Sequence, residues 1–144
     1  MSITIRQATT EDTQRITQLS SQLGYAISEA DTIQNINQLL NSRHDVVYVA
    51  TLDEAVIGWI HDFYAVRIET KPFSEIGGLV VDETVRGKGI GKLLIDKATE
   101  WSRSRSAETL RVRTKVVRTD THKFYERAGF TLTKQQNIYG ISLV

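Results

Sequence analysis

The twelve residues Val81-Asp82-Glu83-Thr84-Val85-Arg86-Gly87-Lys88-Gly89-Ile90-Gly91-Lys92 constrain this chain more than any other segment. They leave an apolar, strand-like run and enter a helical one, in which Ile90, Leu93, Leu94, Ala98 and Trp101 fall on one stripe. A strand-to-helix junction of this kind presents unpaired backbone N–H groups and the positive end of a helix dipole, so it suits phosphate. Gly87, Gly89 and Gly91 remove side chains that would hold phosphate oxygens off the amides, and Lys88 and Lys92 add positive charge.

Spacing selects among phosphate ligands. A dinucleotide fingerprint G-x-G-x-x-G begun at Gly87 needs glycine where Lys92 stands; begun at Gly89, it needs glycine where Leu94 stands. A P-loop ending at Gly91-Lys92 needs glycine in place of Arg86 and Ser or Thr in place of Leu93. Both readings fail. Arg86-x-x-Gly89-x-Gly91 instead resembles the R/Q-x-x-G-x-G/A signature of the GNAT N-acetyltransferase family. Leu79-Val80-Val81 resembles the family's strand whose exposed backbone pairs with pantetheine amides. Phe124-Tyr125-Glu126-Arg127-Ala128-Gly129-Phe130 resembles its F-Y-E-x-x-G-F segment. The likeness covers nearly the whole chain and is least specific over roughly the first 45 residues, the kind of segment that varies most.

Periodicity gives the elements that such a likeness requires. Residues 2–6 alternate as a strand, Thr10-Glu11-Asp12 opens a helix with Ile16 and Leu19 on its apolar face, and a second helix from about Ser28 carries Ile33, Ile36 and Leu40. Three strands over 46–51, 55–65 and 74–81 form an antiparallel meander, with Leu52-Asp53-Glu54 as a turn. After the helix over 89–103, Leu110, Val112, Thr114 and Val116 alternate with Arg111, Arg113 and Lys115 as a strand. A helix over 119–127 stops at Gly129, and Phe130 with Leu132, then Tyr139, Ile141 and Leu143, supply two closing strands. The order β-α-α-β-β-β-α-β-α-β-β specifies a single α/β domain over residues 1–144, a GNAT-like mixed and mostly antiparallel sheet flanked by helices.

The resemblance implies acetyl-CoA as cosubstrate. Leu79, Val80 and Val81 would line pantetheine, and Arg86, Gly87, Lys88, Gly89, Ile90, Gly91 and Lys92 the pyrophosphate. Many relatives carry Asn and Ala in N-x-x-A-x-x-F-Y where this chain has Arg118 and Thr121, so Arg118 reads as a contact to a CoA phosphate or pantetheine oxygen. The implied reaction is direct attack of a primary amine on the thioester in a ternary complex. An alkylammonium group, of pKa ~10.4, must first lose a proton. Glu75 stands six residues before Val81, the spacing at which histone-acetyltransferase members carry a catalytic Glu in E-I-x-x-x-x-V. It reads either as the base, acting directly or through water, or as a solvated strand-edge carboxylate. Tyr125 matches the general acid for the leaving thiolate; the alternative is a half-buried structural tyrosine. The backbone N–H of Val81 is the expected oxyanion donor. Gly77-Gly78 departs from a plain strand and marks a bulge where the sheet opens to the cosubstrate. His61, Asp62 and Glu69 share the neighbourhood of Glu75.

Composition narrows the rest. With no Cys there is no disulfide, thiolate metal site or Cys nucleophile, and His44, His61 and His122 lack a paired-ligand spacing, so no metal is expected. No G-x-S-x-G elbow supports a serine hydrolase. Residues 1–82 hold five bases against eleven acids and residues 83–144 thirteen bases against six, an acidic front and a basic back. The basic stretch 103–127 lacks the interleaved aromatics of a single-strand nucleic-acid platform and reads as a solvated strand face. No apolar run approaches the ~20 residues of a membrane span, and the N-terminus lacks signal-peptide order, so a cytoplasmic protein is expected. The front acids suit a cationic acceptor: an aminoglycoside, a polyamine, or a peptide or protein lysine. A homodimer is compatible with the family. From a different class, the same motifs would serve a catalytically silent acetyl-CoA-binding regulatory or sensor module.

Overall fold

Short-range capping starts the first layer. Thr9 accepts from the Glu11 amide while Asp12 accepts from the Thr9 amide, closing a reciprocal cap on a 3-10 turn at Thr10–Asp12. Helix α1 therefore begins at Thr13, after that turn, and runs to Ser21 (Thr13–Ser21). Both Nη atoms of Arg6 hold Asp12, at 2.8 and 2.9 Å. Ser28 caps α2 (Glu29–Leu40) through the Asp31 amide.

The described residues, 2–144 of the computed structural model, fall into two compact units, one ending at Val112 and one running Arg113–Val144. The first unit holds a five-stranded sheet in the order β1 (Ile3–Gln7), β2 (Asp45–Leu52), β3 (Ala55–Ala65), β4 (Phe73–Val81), β5 (Leu110–Val112). All pairings are antiparallel except β4 with β5. Asp53 and Glu54, with φ of 49° and 74°, make the left-handed two-residue turn that joins β2 to β3.

Period-two alternation sorts the sheet's side chains to two faces. On one, Val47, Val49 and Val80 cluster with Ile16 and Leu19 of α1 and Ile36 of α2. The apolar stripe of α2 differs from the expected one: Ile33 and Leu40 are exposed, and the helix docks through Thr32 and Ile36. Helix α3 (Ile90–Ser104) covers the other face, burying Leu94, Ala98 and Trp101 but leaving Leu93 exposed. Each fully buried aliphatic side chain, such as Leu19, Ile60 or Leu94, contributes about 1.5–3 kcal/mol.

Helix α4 (Thr119–Arg127) belongs to the second unit, and Gly129 past its end takes φ of 99°, the left-handed stop read from the sequence. The alternation over 110–116 becomes a strand only as far as Val112, because β5 pairs with Ser74–Ile76 and the next β4 residue, Gly77, leaves the ladder. Neither closing strand forms: residues 130–144 make no ladder, and Leu132, Tyr139, Ile141 and Leu143 are exposed. Alternation specifies a strand only where a second backbone supplies the hydrogen bonds. No helix among the described residues is long and apolar enough to cross a membrane.

Candidate functional site

The turn from β4 into α3 is built as its sequence requires. Gly87 and Gly89 adopt φ of 81° and 80°, a conformation other residues reach at a cost, and a Cβ on either would meet nothing within 4 Å. The glycines therefore fold the turn while leaving open space over it. Gly89 occupies the cap position without a side-chain hydrogen bond, so the first amides of α3 keep their donors available to a ligand. That combination of open space, orphan donors and a helix N-terminus fits a pyrophosphate. Lys88 is exposed beside it, Arg86 Nε reaches back to the Val81 carbonyl at 3.3 Å, and Lys92 pairs with Asp96 one turn along.

A network from α1 fixes the turn in place. Arg15 donates to Asp82 at 2.5 Å and to the Val56 carbonyl at 2.8 Å, while Gln22 accepts from the Glu83 amide at 2.9 Å. The Thr84 amide, with help from Arg15 and Gln22, holds the Asp82 carboxyl below the usual carboxylate range. Asp82 is thus both a turn acid and the tie to α1.

Upstream of the turn, β4 opens. Its register with β3 slips between His61 and Asp62, which pair with Gly78 and Ile76, so Gly77 is the extra residue of a bulge. Because β5 pairs only with Ser74–Ile76, β4 from Gly77 through Leu79, Val80 and Val81 has no strand on that side among the described residues. That edge offers backbone donors and acceptors to an amide-bearing chain. The two glycines have a further reason. A Cβ on Gly77 would lie 2.5 Å from His61 Nδ1, and one on Gly78 would lie 2.6 Å from the Trp59 ring. The bulge accommodates those rings.

The face beside the bulge gathers the titratable groups. Glu75 is opposite Phe63 in the register, buried to 7% exposure, and accepts from Arg111 Nε at 2.9 Å. The Arg111 guanidinium also lies 3.7 Å over the Phe73 ring. Of the two readings that the sequence offers for Glu75, the solvated strand-edge carboxylate does not hold, because the group is buried and guanidinium-bound. His61, two residues before Phe63 and so on the same face, lies 2.7 Å from Asp45 Oδ1, whose Oδ2 accepts from Ser42 at 2.7 Å. Asp62 does not share this neighbourhood: it faces α3, fully buried, and accepts from Ser102 at 2.6 Å. Burial pushes its carboxyl up to about 7, against the pull of that hydroxyl. Glu69 is exposed on the β3–β4 loop. Sequence reasoning passed over Arg111 as a member of a solvated strand face and did not pair His61 with Asp45.

In the second unit, Tyr125 is buried between two rings, edge-on to Phe124 at 5.1 Å and to Phe130 at 5.5 Å. Phe124 and Phe130 are half-buried walls for that tyrosine. Arg118 is the residue before α4, with its backbone amide bonded to the Lys115 carbonyl. His122 Nε2 lies 2.8 Å from the same carbonyl, which closes the turn.

The family model described as the acetyltransferase (GNAT) family matches residues 10–130. An aminoglycoside N(6')-acetyltransferase type 1 of Stenotrophomonas maltophilia is 27% identical over 138 residues, 92% of this chain and 88% of that protein. An uncharacterized N-acetyltransferase of Methanocaldococcus jannaschii is 36% identical over 64 residues, 44% of this chain, and the match spans only 28% of that relative. Among solved structures, the aminoglycoside N-acetyltransferase AAC(6')-Iy in complex with CoA superimposes with a TM-score of 0.88 over 97% of this chain and 95% of its own, at 20% identity, a likeness of fold.

Proposed function

This chain belongs to the acetyltransferase (GNAT) family, and from that premise we propose that it moves an acetyl group from acetyl-CoA to a primary amine of a small cationic acceptor. The observation that carries the reading is the continuous path along β4 into α3: an unpaired strand edge from Gly77 to Val81, then the open glycine turn and the orphan amides of α3. The strand edge suits the two amides of pantetheine, and the turn suits its pyrophosphate. Leu79, Val80 and Val81 line the first, with Arg86, Lys88 and the amides of Ile90 and Gly91 at the second. Bound there, acetyl-CoA would supply the activated acyl group; the protein's part is to hold it, exclude water and move protons. The oxyanion donor is proposed to be a backbone amide of this open β4 edge.

Tyr125 is the proposed acid for the departing thiolate, supported by the match of its segment to the family's; its ring is held edge-on by Phe124 and Phe130. Arg118 is the proposed cation for a CoA phosphate. The acceptor's ammonium gives up its proton on the face that carries Glu75 and His61. Motif likeness points to Glu75 as the base, whereas its carboxylate is bound by Arg111. A small cationic acceptor is supported by the aminoglycoside acetyltransferase that aligns with nearly the whole chain and by the acids of the front half.

The test is thiol release from acetyl-CoA over aminoglycosides, polyamines and lysine peptides. Tyr125→Phe should lower turnover on the order of a hundredfold with little change in acetyl-CoA binding. A Tyr125→Phe enzyme with wild-type turnover would remove the acid assignment.

A further inference from the structure

Four features of the first unit meet at one point. The side chain of Asp45 accepts at both oxygens, from Ser42 and from His61 Nε2. Because an ionised carboxylate only accepts, the 2.7 Å contact assigns the ring proton of neutral His61 to Nε2 and leaves the lone pair on Nδ1. That Nδ1 lies where a Cβ of Gly77 would be, 2.5 Å from it, so the basic edge of the ring rests on the bulge. Gly77 itself is exposed, so the bulge is open to a ligand.

The bulge is also where the reacting carbon should arrive. From Val81 to Gly77 is four residues, about 13 Å at ~3.3 Å per residue. An extended arm of two amides and a thiol, anchored by its pyrophosphate at α3, reaches roughly that far. Glu75, by contrast, is buried and its carboxylate is engaged by the Arg111 guanidinium.

We propose that His61, oriented by Asp45, takes the proton from the acceptor's ammonium through Nδ1, and that Glu75 acts as a positioning residue that anchors Arg111 at the β4–β5 end. This rests on the transferase reading above. The N–H bond of the ammonium breaks and its proton goes to Nδ1. The freed nitrogen pair forms the C–N bond at the thioester carbonyl. The C–S bond then breaks, the adduct nitrogen loses its second proton, that proton ends on the departing thiolate, and His61 returns the first proton to water.

Acceptors that are already neutral at pH 7, such as hydrazides, need no such base, whereas alkylammonium acceptors do. His61→Asn should lower turnover of alkylamines on the order of a hundredfold while leaving hydrazides within a few-fold, and free imidazole should restore part of the loss in His61→Gly. Glu75→Gln should change both classes by the same factor. Independently of turnover, nitrogen NMR of the wild-type ring should show Nε2 protonated and Nδ1 bare, with Asp45→Asn mixing the tautomers. Selective loss of alkylamine turnover in Glu75→Gln, equal loss of both classes in His61→Asn, or a wild-type ring protonated at Nδ1 would each overturn the assignment. The NMR readout decides it even where a His61 variant fails to fold. A wild-type protein that binds acetyl-CoA and acetylates neither class would instead overturn the transferase reading.

Discussion

Gly77 and Gly78 carry no side chain because the rings of His61 and Trp59 occupy the space one would need. His61 is pinned by Asp45 and cannot swing aside without losing that partner. Gly78→Ala should therefore cost about 1–3 kcal/mol, read as a lowered Tm, as expected of overpacking. Gly77→Ala should add a loss of alkylamine turnover as His61 leaves its partner. On the opposite face, Asp62 makes a separate prediction. Burial raises its carboxyl in the folded protein from 3.8 to about 7, so the folded state binds the proton more tightly than the unfolded chain. The stabilisation is complete below about pH 4 and is lost as the pH rises through about 7. Unfolding measured between about pH 5 and pH 8 should show stability falling by a few kcal/mol at about 1.4 kcal/mol per unit, and Asp62→Asn should flatten that slope. A slope unchanged in Asp62→Asn would contradict it. Asp12 and Asp82 work in the other direction, their carboxyls lowered chiefly by Arg6 and by the Thr84 amide respectively, so their contributions are lost only at acid pH.

Among elements, α3 is where local sequence and site coincide. Gly89 holds φ of 80° at the helix cap, and Ala there would cost about 1–2 kcal/mol in the left-handed conformation. Gly89→Ala should weaken acetyl-CoA binding by several-fold in titration calorimetry, and unchanged affinity would count against the cradle. This turn was legible because its determinants lie within a few residues: glycines for the backbone, a strand before, an amphipathic helix after. The Gly129 stop and the Ser28 cap were legible for the same reason. What escaped were partners set by tertiary register: His61 with Asp45, 16 residues apart, Glu75 with Arg111, 36 apart, and Arg15 with Asp82, 67 apart. Likewise, Tyr139, Ile141 and Leu143 alternate as strand residues do, but alternation names a face and not the neighbour that completes the ladder. Asp62 and His61 are adjacent in sequence and lie on opposite faces, so only the phase of β3 separates a core carboxyl from the imidazole proposed as the base.

For the whole molecule, the near balance of 18 bases and 17 acids conceals an acidic stretch up to Asp82 followed by a basic one. The change of sign falls at the β4–α3 turn, so the proposed polyanion cradle begins where the chain becomes basic, and Glu75, His61 and Asp45 lie before it. Acetyl-CoA affinity should accordingly fall as salt rises from about 0.05 to 0.5 M, since the exposed Lys88 is screened by counterions. The central claim is that the β4–α3 path delivers an acetyl group to an amine. The chain has no cysteine, so every thiol that forms in a mixture of protein, acetyl-CoA and amine comes from CoA. Thiol release and product mass followed together over aminoglycosides, polyamines and lysine peptides test the claim most directly. The account predicts one thiol released for each acetyl group gained by the amine, and none without amine. Acetyl-CoA that binds and stays intact with every amine would contradict it and leave a silent binding module.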